Sequence, residues 1–496
     1  MSATVASPPR DVAVNAGWLA TAQVVRRLLR LGVLLLIARL IGIESFGVYA
    51  LLLTAVELIA LVSGFSYGDF LTREIAKDRQ SAWPLAKRVT QIRFAYSVPC
   101  VAVAILLLAA LRFPRALLVN VALLSLTLVP RIIGDSAQGV MKALLRFRPL
   151  LWVELAQGAL MLSVAPLLVW KGFGLRGVIA AEILAALGGT VVASLVIVPA
   201  VDFKGTHQHN VRTLARSILA FNIYPFIATI YDRIDIVLLS KLAGNIATAV
   251  YSVPYRVFAG LSIIPYGTMG ALLPAFSAAG VTRETRDECR RAMKFLYLIA
   301  LQAVLLALAF ARPAVLILLG QSYSGSIITI KILAWAGIPV FLNHALNILL
   351  LAAHKEKVFV WTASICTVFN ISVNLLLIPR FSFVGAATAT LLTELLLLAQ
   401  NCYLVRRLIG EFIFPQDGLK TTSVFLLAIT GFLILRSLVG GIIAGTLTSA
   451  AFASFAVMTS RGLSVLLSPE PVLRRPPKEP VLRCKPKDQR RKRSWL

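Results

Sequence analysis

The sequence predicts an all-α, polytopic membrane protein, and three observations support that prediction. The chain of 496 residues is 58% hydrophobic and has a mean hydropathy of +0.83. Its Leu, Ile, Val, Ala and Phe residues recur in blocks of about 20, the length at which a helix crosses about 30 Å of hydrocarbon. No polar connection between the blocks is long enough to form a soluble domain. We therefore expect a bundle of membrane helices.

The apolar blocks predict fourteen spans. The last block, residues 421–460, contains Arg436 as its one charged residue and is long enough for two tightly turned helices. Twelve spans followed by a re-entrant pair are the alternative. The predicted spans lie at 17–41, 47–68, 94–111, 116–141, 150–170, 175–200, 215–240, 247–279, 295–311, 327–353, 358–379, 383–405, 422–437 and 440–460.

The formal net charge of +28 is distributed unevenly. If the N-terminus lies inside, the basic residues concentrate in the cytoplasmic connections and in the tail, residues 461–496. The positive-inside rule then predicts that both termini are cytoplasmic. The charge is thus explained by topology, and a nucleic acid partner is not indicated. The Pro-rich basic tail is expected to be disordered.

Neither a metal site nor a disulfide nor a removable signal peptide is predicted. The cysteines lack metal-ligand spacing, and the His-Gln-His stretch at 207–209 lies in a basic loop. The N-terminal segment lacks a short apolar core followed by a small-residue cleavage site. The cysteines are Cys100, Cys289, Cys366, Cys402 and Cys484.

The two halves of the chain repeat each other weakly. ARLIGIESFGVYAL, from Ala38, matches SKLAGNIATAVYSV, from Ser240, at an offset of 202, and Gly177 matches Gly385 at an offset of 208. Six predicted spans precede Arg212 and six follow it up to Arg407, so the repeats are parallel, with the substrate expected between them at the midplane. We predict two pseudo-symmetric six-helix bundles, 1–211 and 212–408, around a central cavity. Two additional helices at 409–460 and the tail, 461–496, follow them.

Four stretches resemble a known family. They are LLIARLIGIESFGVYAL with SGFSYGDFLTREIAK, AQGVMKALLRFRPLLWVEL, YDRIDIVLLSKLAGNIATAVYSVPYRV and NLLLIPRFSFVGAATATLLTELL. In order and spacing they resemble the polysaccharide transporter (oligosaccharide flippase) family of the multidrug/oligosaccharidyl-lipid/polysaccharide exporter superfamily. The resemblance covers roughly residues 12–408. It implies a transporter that moves isoprenoid-diphosphate-linked saccharides from the inner to the outer leaflet.

Three charges interrupt the span at 215–240. Asp232, Arg233 and Asp235 lie within four positions, and each charge exposed to lipid at the bilayer centre costs ~2.5–3.5 kcal/mol on insertion scales. Counted from the turn at Gly244, Asp232 and Arg256 are at the same depth. The sequence therefore predicts an Asp232–Arg256 ion pair. Asp235 lies three residues after Asp232 and therefore on the same face of the predicted helix.

The first hairpin carries a similar acid and base. At the repeat offset of 202, Asp232 aligns in sequence with Arg30. Counted from the turn at Gly42, Arg30 lies at the same depth as Thr54, which is about one helical turn from Glu57. A surplus of buried cations suits a diphosphate, which arginine grips bidentately. We therefore assign the arginines to diphosphate or sugar binding and the acids to ion coupling or charge pairing. The arginines are Arg26, Arg27, Arg30, Arg233 and Arg256, and the acids are Glu57, Asp232 and Asp235.

Two alternatives remain for these charges. They could form buried ion pairs that only fix helix packing, the usual fate of intramembrane charge. Arg26 and Arg27 could also extend to the cytoplasmic headgroups, which would remove the surplus. Tyr231, Tyr251 and Tyr255 could stack on sugars, although interfacial and packing roles are commoner for tyrosine.

Two further charged groups are given structural roles. Arg131 and Asp135, four residues apart, are expected to form an intrahelical pair. Asp69, Arg73 and Glu74 are expected to form a solvated helix end at the cytoplasm, with a gate as the alternative.

Three functions compete at this level. The first is a flippase for a lipid-linked oligosaccharide, working by alternating access without a cofactor, with H+ or Na+ as candidate coupling ions. The second is an ion-coupled drug or metabolite antiporter of the same superfamily, which should favour acidic cavities. A glycosyltransferase or polymerase is the third, and it is disfavoured because Glu44 is the one acid in the predicted outer connections. Expected partners are the lipid-linked oligosaccharide, membrane lipids and polysaccharide-assembly proteins such as a polymerase.

Overall fold

The computed structural model describes residues 9–62, 67–78, 82–197, 211–355, 357–415 and 417–460, and every regular element in these ranges is helical. The first half contains α1 Pro9–Leu40, α2 Ile43–Val62, α3 Tyr67–Lys77, α4 Ala82–Ala110, α5 Arg115–Ser125, α6 Leu128–Ala143, α7 Arg148–Leu168 and α8 Gly174–Ile197. The remainder contains α9 Val211–Leu261, α10 Ile263–Ala279, α11 Arg283–Leu318, α12 Ser326–Ala352, α13 Lys357–Ile409, α14 Gly418–Val439 and α15 Gly441–Ser460.

The helices confirm a multi-pass membrane protein. Within the described residues, ten helical segments are long and apolar enough to cross a membrane. Three of them, of 49, 54 and 52 residues, are hairpins. Hydrogen bonds across two of these hairpins join Tyr251 to Asp235 and Asn370 to Thr393. The number of fourteen spans stays a prediction, as do the predicted His-Gln-His loop and basic tail, which lie outside the described residues.

Backbone turns repeat at the two sequence offsets. Gly42 and Gly244, 202 residues apart, both have positive φ, at 77° and 85°. Gly174 and Ser382, 208 residues apart, share φ 51° and ψ −132°. Positive φ is costly for a residue with a Cβ, so these turns are specific structural features. Their recurrence supports the internal repeat.

The described helices belong to two compact units. The first comprises residues 1–261, 310–336 and 357–397, and the second comprises 262–309, 337–356 and 398–496. The charged side chains of α1, α2 and α9 therefore all lie in the first unit. The boundaries predicted at 211/212 and 408/409 remain predictions.

The first unit is tightly packed around the tips of its two leading hairpins. A Cβ added to Gly47 of α2 would lie 1.9 Å from the backbone oxygen of Asn245. Tyr323 donates its phenol hydrogen to the Ala38 carbonyl at 3.2 Å, and Ser326 donates to the Val250 carbonyl at 2.7 Å. We call this region the tip contact. The Gly47–Asn245 and Tyr323–Ala38 contacts join first-half and second-half elements, and the Ser326–Val250 hydrogen bond lies beside them within the second half.

The second unit contains a charged cluster where α11 begins. Glu411 pairs with Arg286 at 3.0 Å and also with Arg290. Lys294 donates to Asp417 at 2.8 Å, and this hydrogen bond holds the pKa of the Asp417 carboxyl below its usual range. The cluster thus ties the start of α11 to the connection between α13 and α14.

Candidate functional site

Glu57 of α2 lies between two arginines of α9. Its Oε2 is 3.0 Å from Arg233 Nε, and its Oε1 is 3.4 Å from Arg256 Nη1. The side chains of Glu57, Arg233 and Arg256 are 31%, 22% and 18% exposed. We call these three residues the Glu57 triad. It joins the first half of the chain to the second by charge.

The sequence places the two arginines together for a simple reason. Arg233 and Arg256 lie at nearly equal distances on either side of the reversal at Gly244, so the two arms of the hairpin bring them to the same depth. Nε and Nη2 of Arg256 are buried without a hydrogen-bond partner among the described residues. Buried N–H donors of this kind are costly unless a ligand or water pairs with them.

The predicted ion pair between Asp232 and Arg256 is wrong. Asp232 is exposed and has no ion pair among the described residues, whereas Arg256 pairs with Glu57. Successive helix residues differ in direction by about 100°. Because Arg233 faces α2, the neighbouring Asp232 is turned away from it.

The three candidate arginines of α1 have three different environments. Arg26 Nε lies 3.2 Å from Glu154 of α7, and Arg27 donates to the Gly260 carbonyl at 3.0 Å. Arg30 is exposed and has no ion pair with another described residue. Glu154 was missed by sequence reasoning, although it is the one acid in the apolar α7 helix. Arg26 is therefore neutralised within the protein.

Asp235 is enclosed inside the α9 hairpin. It is 2% exposed, and it accepts hydrogen bonds from the Tyr251 phenol and, at 2.8 Å, from the Ile236 backbone N–H. Tyr251 also lies 3.0 Å from the Thr390 hydroxyl of α13. Asp235 is thus held apart from the Glu57 triad by its own hydrogen bonds.

Two predicted sugar-binding tyrosines have protein partners. Tyr231 donates to Glu394, a buried acid of α13 that sequence reasoning missed. Tyr255 is buried, with its ring 5.4 Å from that of Tyr251, and the Arg233 guanidinium lies 5.8 Å from its centroid. Tyr255 therefore supports Arg233 by a cation–π contact.

We expect Tyr251→Phe to lower the thermal unfolding midpoint. The substitution leaves the buried Asp235 carboxylate without its phenol donor, which costs about 1–3 kcal/mol. Tyr297→Phe is the matched control, because its phenol bonds only the neutral Thr422 hydroxyl at 2.9 Å. Equal shifts of the midpoint in the two variants would contradict the importance of the Asp235 contact.

The predicted intrahelical pair of Arg131 and Asp135 is also wrong. Arg131 pairs with Glu182 of α8 at 3.3 Å, and Asp135 pairs with Arg93 of α4 at 3.0 Å. Glu182 further accepts the Tyr49 phenol hydrogen at 2.6 Å. A pair along one helix contributes only about 0.2–0.5 kcal/mol, so contacts between packed helices replace it.

The charged end of α3 has the geometry of a solvated helix end. Lys77 donates to Glu74 at 2.8 Å, and Arg73 Nε lies 3.1 Å from the same carboxyl. These contacts, that with Lys77 first, hold the pKa of Glu74 below its usual range. The side chain of Asp69 lies outside the described set.

The family described as polysaccharide biosynthesis protein matches residues 12–279. This chain belongs to that family. No curated protein matches it significantly.

Solved structures share the fold of this polysaccharide biosynthesis protein. An inward-facing multidrug resistance MATE transporter of the MOP superfamily matches with a TM-score of 0.64 and 14% identity, covering 78% of this chain and 96% of its own. Lipid II flippase MurJ in an inward closed conformation matches with a TM-score of 0.62 and 14% identity, covering 89% and 99%. An outward-facing MATE transporter gives a TM-score of 0.59 and 14% identity, covering 80% and 96%. This multi-pass membrane protein therefore has the fold of these transporters and of this flippase.

Proposed function

We propose that this protein flips a polyprenyl-diphosphate-linked oligosaccharide, a precursor of exopolysaccharide or O-antigen, from the cytoplasmic to the outer leaflet by alternating access. The observation that carries the proposal is Arg256, whose Nε and Nη2 are buried beside Arg233 and have no hydrogen-bond partner among the described residues. Arginine binds phosphate oxygens through paired N–H donors. Arg30, exposed on α1, is a further candidate for the same headgroup.

Charge balance supports an anionic substrate. Glu154 neutralises Arg26, and Tyr251 encloses Asp235. In the Glu57 triad one carboxylate is shared by two arginines, so a local cationic surplus remains there.

The membrane placement is part of the proposal. The concentration of basic residues in alternate connections supports a bacterial inner-membrane protein with both termini in the cytoplasm. In that orientation the tip contact lies at the outer side. A polymerase and other polysaccharide-assembly proteins would receive the flipped lipid.

Energy for transport would come from an ion or from the substrate gradient. Glu57, Asp232 and Asp235 are the candidate carboxylates for H+ or Na+, with no other cofactor involved. Of these, Asp235 is the most enclosed, and Asp232 is exposed. Together they offer both a buried and an accessible acid in one helix.

An ion-coupled multidrug or metabolite antiporter is the second candidate. The likeness to MATE transporters and the buried acids Asp235 and Glu394 favour it. The arginine surplus around the Glu57 triad opposes it, because organic cations need acidic surroundings.

Reconstituted vesicles distinguish the two functions. We expect the purified protein to move a fluorescent isoprenoid-diphosphate-linked saccharide across the bilayer, measured by quenching from outside. Empty vesicles give the background rate. Ion flux stimulated by a small organic cation, without movement of the saccharide lipid, would instead support the antiporter.

A further inference from the structure

We infer that Glu57 is a resident counter-ion that the substrate diphosphate displaces from Arg233 and Arg256, and that its displacement weakens the attachment of α2 to α9. The inference rests on the proposed function and adds to it the means by which binding triggers opening. The Glu57 triad carries it, because one carboxylate of the first half is shared between two arginines of the second.

The contacts of Glu57 are weak for a partly buried ion pair. Its Oε2 lies 3.0 Å from Arg233 Nε but off the N–H direction, so that oxygen has no hydrogen bond. The distance from Oε1 to Arg256 Nη1, 3.4 Å, is long for charge-assisted hydrogen bonds, which are typically about 2.7–2.9 Å. Neither arginine is gripped bidentately. A better-matched anion can therefore replace the carboxylate.

A diphosphate is a better ligand for Arg233 and Arg256 than the Glu57 carboxylate is. It carries more negative charge and more acceptor oxygens than a single carboxylate, and it can reach both guanidinium groups together. Two donors of Arg256, Nε and Nη2, are free among the described contacts. All three side chains of the triad are partly exposed, so an incoming headgroup can reach the edge of the triad, whereas Nε and Nη2 of Arg256 are themselves buried.

The same carboxylate attaches α2 to α9. Gly47 and Asn245 meet at the tip contact, and Glu57 lies ten residues further along α2 than Gly47, about 15 Å away. The tip contact itself depends on backbone and apolar packing, so the triad is the charged part of the α2–α9 attachment. Displaced Glu57 would also face the bound phosphates and be repelled by them.

Binding and opening are then linked. A ligand shifts a conformational equilibrium only by binding one state more tightly than the other. Here the closed state requires the diphosphate to compete with Glu57, whereas the open state leaves the arginines free. By reciprocity, any change that detaches Glu57 should both tighten diphosphate binding and loosen the tip contact.

Farnesyl diphosphate, as an isoprenoid diphosphate probe, tests the inference by calorimetry on the detergent-purified full chain. We expect Glu57→Gln to bind it at least about tenfold more tightly than wild type, a difference of about 1.4 kcal/mol. Glu74→Gln is the matched control, since Glu74 pairs with Lys77 and Arg73 on α3, and it should bind like wild type. Glu57→Asp, which keeps the charge on a shorter side chain, should be intermediate and serves if the Gln variant fails to fold.

A thiol reporter tests whether displacement of Glu57 loosens the tip contact. Ser326 is fully buried at the tip contact, so Ser326→Cys in a cysteine-free background should react slowly with a maleimide. We expect faster reaction when farnesyl diphosphate is added, and in Glu57→Gln without ligand. Unchanged or weaker probe binding by Glu57→Gln, with normal binding by wild type, would overturn the inference but leave the proposed function. Failure of wild type to bind the probe would overturn both.

Discussion

Arg256→Ala is expected to abolish flipping while the protein remains in the membrane. Truncating one partner of a hydrogen-bonded charge pair costs about 2–5 kcal/mol, which predicts at least about 30-fold weaker diphosphate binding. The variant also removes the buried Nε and Nη2 donors. The measurement is transport of the fluorescent diphosphate-linked saccharide in vesicles, with membrane levels followed in parallel.

Further arginine variants show whether transport needs the planar guanidinium group of Arg256 or only a positive charge at that position. Arg256→Lys keeps the charge but loses the planar fork, so it should restore only part of the rate. Arg407→Ala removes an exposed arginine whose contact is the Tyr403 phenol at 3.2 Å, and its rate should be unchanged. Arg30→Ala should impair export as well. Normal transport by both Arg30→Ala and Arg256→Ala would refute the arginine site.

Gly47→Val is expected to prevent the tip contact from forming. The Cβ of any larger residue would lie 1.9 Å from the Asn245 oxygen, far inside contact distance, and the obstacle is backbone that cannot rotate away. The proposed alternating-access cycle requires this end to close each time, so transport should stop. The Ser326→Cys reporter should react rapidly with maleimide in this variant, even without ligand.

Gly32→Val is the control for this steric effect. It introduces the same β-branched residue into α1, where a Cβ would meet nothing within 4 Å. It should gain only the small helix-propensity difference between Val and Gly, and it should keep both transport and slow labelling at Ser326→Cys. Slow maleimide labelling of Ser326→Cys in the Gly47→Val variant would show that the tip contact forms despite the added side chain. It would refute the requirement for a close approach between residue 47 and the Asn245 backbone.

Hairpins and turns could be predicted from the sequence, because they depend on local patterns. The matched segments at offsets 202 and 208 correspond to turns with the same backbone geometry, at Gly42 and Gly244 and at Gly174 and Ser382. Equal counting from Gly244 placed Asp232 level with Arg256, and in the structure the next residue, Arg233, shares Glu57 with Arg256. Depth along a helix follows from residue number alone, at about 1.5 Å per residue.

Charge partners could not be predicted in the same way. Asp232 was assigned to Arg256, yet Arg256 contacts Glu57, which lies 199 residues away in the chain. Arg131 was assigned to Asp135, yet it contacts Glu182. In both cases the correct partner lies on a helix that is remote in sequence, and several acids at suitable depths were available.

The sequence by itself determined that this chain crosses the membrane many times as helices, that its halves repeat and that arginines outnumber acids within its spans. Those properties depend on composition, length and spacing. Only the tertiary structure decided that Glu57 is shared by Arg233 and Arg256, that Glu154 neutralises Arg26 and that Tyr251 encloses Asp235. The physical reason is that ion pairs form across short distances between packed helices, and the rotation of each helix about its axis, which selects the partner, is set by packing.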